Sequence, residues 1–172
     1  MISDASPLII YGTINRLDLL RDVLGELVIA EAVFHEVVVR GKEINSPDAF
    51  LIEDAVNMRR IRVVALDNEH RQKAARLCRL YTQLDEGEAQ TIALALQRNQ
   101  KDVLIDEAIA RKVARFYGLV PRGSLGVLLL AVKRGRITPT EAEELLALML
   151  STKLRISASV LERFHLLLRR IG

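Results

Sequence analysis

Short apolar runs alternate with longer helix-patterned segments along nearly the whole chain, and this alternation constrains the fold more than any other feature. Residues 1–3, Leu27-Val28-Ile29, Ile61 to Leu66, Val103-Leu104-Ile105 and Leu119-Val120 read as strands. They are short and, apart from Ser3 and Arg62, apolar, which suits strands covered on both faces. Between and after them the sequence predicts helices at Arg16 to Leu24, Ala30 to Val39, Ser46 to about Met58, Asn68 to Tyr81, Asp85 to Arg98, Glu107 to Tyr117, Leu125 to Lys133, Pro139 to Leu150 and Ser157 to about Arg170. Ser6-Pro7 reads as the cap and first turn of a brief opening helix, broken by Gly12 and Asn15, and Gly41 is placed to end the helix before it. Strand followed by helix, repeated, calls for a parallel sheet covered on both faces.

Four acidic residues stand at the edges of these apolar stretches. Asp4 ends the opening strand and Asp106 follows Val103-Leu104-Ile105, so both fall at carboxyl ends of strands, where open α/β sheets bind ligands. At about 100° per residue, Glu88 shares a helix face with Ile92, Ala95 and Leu96, whereas Glu86 points with Gln90 and Gln97 toward solvent. A carboxylate enters an apolar face only when something pairs with it. Glu36 shares its face with Ala32 and Val33. Each acid also has a plain structural explanation. Asp4 suits a turn, Glu36 can pair with Arg40 one helical turn on, Asp85 and Glu88 resemble a capping box, and Asp106 suits the cap of a helix starting at Glu107. Carboxylates gathered without cysteine or histidine suit a hard divalent ion such as Mg²⁺ or Mn²⁺.

Composition narrows the function. A chain of 172 residues suits one domain with one substantial core. Aromatic residues make up only 4 %, which argues against a base-stacking platform for single strands. The net charge of +3 is mild, but Arg59, Arg60, Arg62, Arg71, Lys73, Arg76 and Arg79 crowd one middle stretch. That stretch is a phosphate-contacting face or simply solvated surface. Arg111, Lys112 and Arg115 either meet substrate phosphates or neutralise the acids. A single cysteine, Cys78, allows no internal disulfide and fits a reducing compartment. With no leader pattern and no apolar run of membrane length, the chain reads as cytoplasmic.

The segments ISDASPLI, EAVFHEVV, LDEGEAQTIALA, VLIDEAIARKVA and GSLGVLLLAVKRG together resemble the PIN-domain superfamily, most nearly its prokaryotic VapC-like branch with DASPLI and GEA motifs. The resemblance implies a three-layer α/β/α sandwich, with a nuclease domain over residues 1–137 and a helical C-terminal extension over 138–172. It places Asp4 on the family's first aspartate, Glu36 on its helix glutamate and Asp106 on its strand-end aspartate. Glu88 falls where many members have aspartate, which keeps the charge and lengthens the side chain. The activity implied is Mg²⁺- or Mn²⁺-dependent hydrolysis of RNA, with metal held by Asp4, Glu88 and Asp106, and Glu36 acting directly or through water. The same resemblance implies a homodimer, with a toxin paired to an antitoxin protein as one form of the function. The alternative is an inactive PIN-like module that binds RNA or protein. Haloacid-dehalogenase-like phosphohydrolases need Asp-x-Asp after the first strand, and Asp4-Ala5-Ser6 lacks the second aspartate.

Overall fold

The computed structural model describes residues 1–152 and 154–171, so of the extension assigned to 138–172 only Lys153 and Gly172 lie outside the described residues. Five strands form one sheet: β1 (Ile2–Ser3), β2 (Leu27–Ala30), β3 (Ile61–Val64), β4 (Asp102–Leu104) and β5 (Val120–Arg122). Every pairing is parallel, in the order β3-β2-β1-β4-β5. The chain therefore winds outward from β1 to β3, then returns to lay β4 against the other side of β1. With helices on both faces, the fold is the expected α/β sandwich.

Side-chain burial holds the central strands more than their ladders do. β1 is two residues long, yet Ile2, Val28, Val103, Leu104 and Ile105 are all buried in the core. Each such aliphatic side chain contributes about 1.5–3 kcal/mol, against about 1 kcal/mol for a backbone hydrogen bond. The ladder does continue one step past β1, where the Asp4 amide donates to the Leu104 carbonyl at 2.9 Å.

The helices are α1 (Ala5–Thr13), α2 (Leu17–Leu24), α3 (Glu31–Phe34), α4 (Gly41–Glu43), α5 (Pro47–Asn57), α6 (Asn68–Leu80), α7 (Glu86–Gln97), α8 (Ala108–Phe116), α9 (Ser124–Lys133), α10 (Pro139–Leu150) and α11 (Ala158–Ile171). α7 packs on β1, β2 and β4, with α6 laid against it. Its alanines at 89, 93 and 95 are fully buried and let its backbone lie close to the sheet. The two last helices pack on α9 of their own chain through Leu145, Leu146, Met149, Phe164 and Leu168. The capping box of Thr138 and Glu141 opens α10 as its sequence requires.

Three local expectations are corrected. α1 begins at Ala5, so Asp4 holds the N-cap position and Ser6-Pro7 lies inside the first turn, where proline's missing N–H costs nothing. α1 also runs through Gly12, and the break comes at Asn15, in the left-handed region at φ 53°. Gly41 does not end its helix. Residues His35–Arg40 form a π-helical turn that carries on into α4, with Gly41 at φ −59°. The reason for that glycine is contact: a Cβ there would stand 2.7 Å from the Ala49 Cβ on α5.

Gly41→Ala should therefore cost about 1–3 kcal/mol, as overpacking does. Gly126, in α9 with open space around its Cα, should gain about 0.5–1 kcal/mol from the same change. Urea unfolding of both variants measures the difference, and equal effects would contradict the packing described.

Candidate functional site

Strand order reverses between β1 and β4, and this break in winding opens a crevice at the carboxyl edge of the sheet. Asp4 follows β1 and Asp106 lies just past β4, so the two strand-end aspartates flank that crevice. Glu88 enters from the first turn of α7 and Glu36 from the π-helical turn. π turns are rare and recur at functional sites, because the extra residue re-aims the side chains around it.

Asp4 is 2 % exposed, and its Oδ1 has no hydrogen-bond partner among the described residues. Burial, followed by the charges of Glu88, Asp85 and Glu36, pushes its carboxyl well above the ordinary range. Glu88 is also buried, whereas Glu86 is exposed, as the helical register requires. Burial and then the neighbouring acids Asp85, Glu107 and Glu36 raise the Glu88 carboxyl to about 7. Glu36 is half-buried and shifted upward by burial and by Asp85, with Arg40 offsetting part of the effect. Gly87 makes the approach possible: a Cβ there would meet the Glu36 Oε2 at 3.1 Å and the Asp85 Oδ1 at 3.4 Å.

Asp106 is fixed differently. Its Oδ1 accepts from the Ser124 amide at 2.7 Å and its Oδ2 from the Ser124 hydroxyl at 2.6 Å. Asp106 thus caps α9, not the helix that follows it, whose N-cap position is held by Glu107 without a side-chain hydrogen bond. Burial raises its carboxyl despite the two bonds from Ser124 and the nearby Arg111 guanidinium. The charge of Glu107 raises the carboxyls of both Glu88 and Asp106.

All four anticipated acids thus lie at one edge of the sheet, where Glu88 and Glu36 raise the Asp4 carboxyl and Glu36 raises that of Glu88. Of their neighbours, Asp85 was read from sequence only as part of a capping box, and Ser124 was not singled out. The pair Gly123-Ser124 at the start of an apolar helix is the signal that marks it. Beside Glu36 and Asp85 opens a cleft of about 610 Å³, walled also by Glu31, His35, Arg40 and Gln90. Within the basic middle stretch, Arg62 pairs with Glu26 at 3.0 Å on the β3 edge, and Lys73 faces Glu69 at 3.9 Å on α6.

The donor set is all oxygen, which suits a hard divalent cation. An unpartnered oxygen on a buried carboxylate is the group such a cation would satisfy, so the residues present fit one. The cage is not preassembled: among the described residues no three His, Cys, Asp or Glu side chains converge as a ready ligand group. Capping explains why. Glu88 Oε2 accepts from the Asp85 amide at 3.0 Å in a capping box, and both Asp106 oxygens are turned to Ser124.

The fold is a parallel α/β sheet with acids at its switch point. The chain belongs to the PIN-domain family: the family model DUF3368, described as a PIN domain, matches residues 1–170. No curated protein matches the chain. Among the described residues no helix is long and apolar enough to cross a membrane.

Raised carboxyl pKa values fix the sign of a pH effect. Between 4.5 and about 7 the folded chain holds a proton on Glu88 that the unfolded chain has released. The contribution of Glu88 to stability without metal should therefore be fully present below 4.5 and be lost as pH rises to about 7. Glu88→Gln should flatten that fall in thermal melts run with chelator. An undiminished slope would show that Glu88 is not its source.

Proposed function

We propose that the protein is a metal-dependent ribonuclease that hydrolyses RNA phosphodiester bonds, with Asp4, Glu36, Glu88 and Asp106 as its acidic set. The observation that carries this reading is the buried, unpartnered Oδ1 of Asp4 at the switch point, surrounded by the charges of Glu88, Asp85 and Glu36. An unpaired buried carboxylate is costly unless a ligand offsets it. Membership of the PIN family supports nucleic acid as the substrate.

Asp4, Glu88 and Asp106 would hold Mg²⁺ or Mn²⁺, and Glu36 would reach it directly or through water. A bound ion of this kind makes water nucleophilic at neutral pH and stabilises the leaving oxygen. The chain's own contribution is placement. Asp4 sits on a buried strand end, and Asp106 is clamped at the head of α9. Glu88 would exchange its capping bond to the Asp85 amide for the ion, and Glu36, half-buried beside Asp85, would serve to orient or deprotonate water. Arg111, half-buried beside Asp106, adds positive charge where phosphate would lie.

In this reading the chain can serve as the toxin of a toxin–antitoxin pair, with an antitoxin protein as its partner. A homodimer is the proposed assembly, because Leu148, Leu150, Val160 and Leu166 remain about half exposed on the last two helices. Light scattering at micromolar concentration should report twice the 19.3 kDa chain mass. A second reading, an inactive module that binds RNA or protein, is favoured by the lack of three converging ligand side chains among the described residues.

Two measurements separate these readings. Asp106→Asn keeps the shape and removes the charge, so Mn²⁺-dependent RNA cleavage should fall by at least about tenfold. Cleavage at the wild-type rate would remove Asp106 from the site. Mn²⁺ at about a hundred times its Kd should stabilise the native chain by about 2.7 kcal/mol, seen as a higher melting temperature. The Asp4→Asn/Asp106→Asn double variant should show no such rise. Equal stabilisation of both would mean non-specific surface binding.

A further inference from the structure

Asp106 shares a hydrogen-bonded chain with the helix that starts at Asp4, although the two aspartates are remote in sequence. Ser124 is fully buried and spends both its amide and its hydroxyl on the two Asp106 oxygens, at 2.7 Å and 2.6 Å. Its carbonyl accepts the hydroxyl of Tyr11 at 3.1 Å. Tyr11 is also fully buried and stands on α1, the helix whose N-cap is Asp4. The room for this contact comes from Gly123, where a Cβ would stand 3.0 Å from the Asp106 Oδ1 and 2.8 Å from the Arg111 Nη1. Arg111 in turn donates to the Ile105 carbonyl at 3.0 Å, which ties the strand end that carries Asp106 to α8.

We infer that Ser124 is a positioning residue for the metal site, and that the Tyr11 hydroxyl fixes its place relative to Asp4. The inference rests on the ribonuclease reading above and adds residues which that reading does not need. Without Ser124, Asp106 would rotate freely about its side-chain bonds, because Ser124 supplies the hydrogen bonds to both of its oxygens. With Ser124 in place, each oxygen keeps a second lone pair free for a cation while its orientation is set. The buried phenol then couples α1 to α9, so the Asp4-to-Asp106 spacing no longer depends on the two-residue strand β1 alone. Outer partners of metal ligands act in this way, and their loss weakens metal binding about 10–100-fold.

Titration of the full chain with Mn²⁺ by calorimetry, alongside RNA cleavage, tests the role. Ser124→Ala should weaken Mn²⁺ binding about tenfold, with the KM for RNA unchanged at saturating metal. Ser124→Thr keeps the hydroxyl and should stay close to wild type, a rescue that loss of packing would not produce. Tyr11→Phe, which removes one oxygen and keeps the ring, should weaken Mn²⁺ binding by a smaller factor. It also decides the matter should Ser124→Ala fail to fold. Wild-type Mn²⁺ affinity in folded Ser124→Ala or Tyr11→Phe, with the native chain cleaving RNA, would overturn the positioning role and leave the ribonuclease reading intact. A native chain that neither binds Mn²⁺ nor cleaves RNA would overturn both.

Discussion

Reversal of strand order between β1 and β4 is the constraint on which the site depends. Adjacent parallel strands normally carry their connections over the same edge, and helices then close that edge. At the reversal the connections diverge, leaving the strand ends β1 and β4 side by side with open space above them. Asp4 and Asp106 fall at those ends. The sheet needs only apolar side chains to form, so the acids can occupy its edge without weakening its centre.

Two of the four acids serve two purposes. Glu88 completes the capping box of α7, and Asp106 caps α9 across the crevice. Each cap satisfies amides that would otherwise be orphaned at a buried helix start. Both helices point their positive ends at the acids, which tempers the repulsion among carboxylates in a desolvated place. Asp4 lacks this relief at one oxygen, and its unmet demand makes the cluster a candidate site and not merely a set of caps.

Much of the fold was legible in the sequence. The strand and helix alternation led to the parallel sheet, Thr138 and Glu141 marked the start of α10, and helical register separated buried Glu88 from exposed Glu86. The misreadings share a cause. Gly12 and Gly41 looked like helix breaks because glycine favours ends, yet each is required by close contact with α5, at Asp48 and Ala49 respectively. Such contacts join segments far apart along the chain, so local propensity carries no trace of them. The π turn escaped notice because Ala30 to Val39 has the pattern of an ordinary helix despite its valines.

The sequence by itself determined the residue types at the site, the strand ends that carry Asp4 and Asp106 and the capping box that carries Glu88, because hydrophobic period and capping chemistry are local properties. Only the tertiary structure decided which acids share a field and which amides they engage. Asp106 illustrates the division. Its place after an apolar strand was readable, and its local choice was the helix beginning one residue on. The folded chain instead offers Ser124, held 18 residues away in sequence but at hydrogen-bond distance, with two donors aimed at both oxygens. Two aligned donors at this carboxylate outweigh one nearby backbone amide, and the parallel pairing of β4 with β5, which sets Leu104 beside Arg122, brings them there.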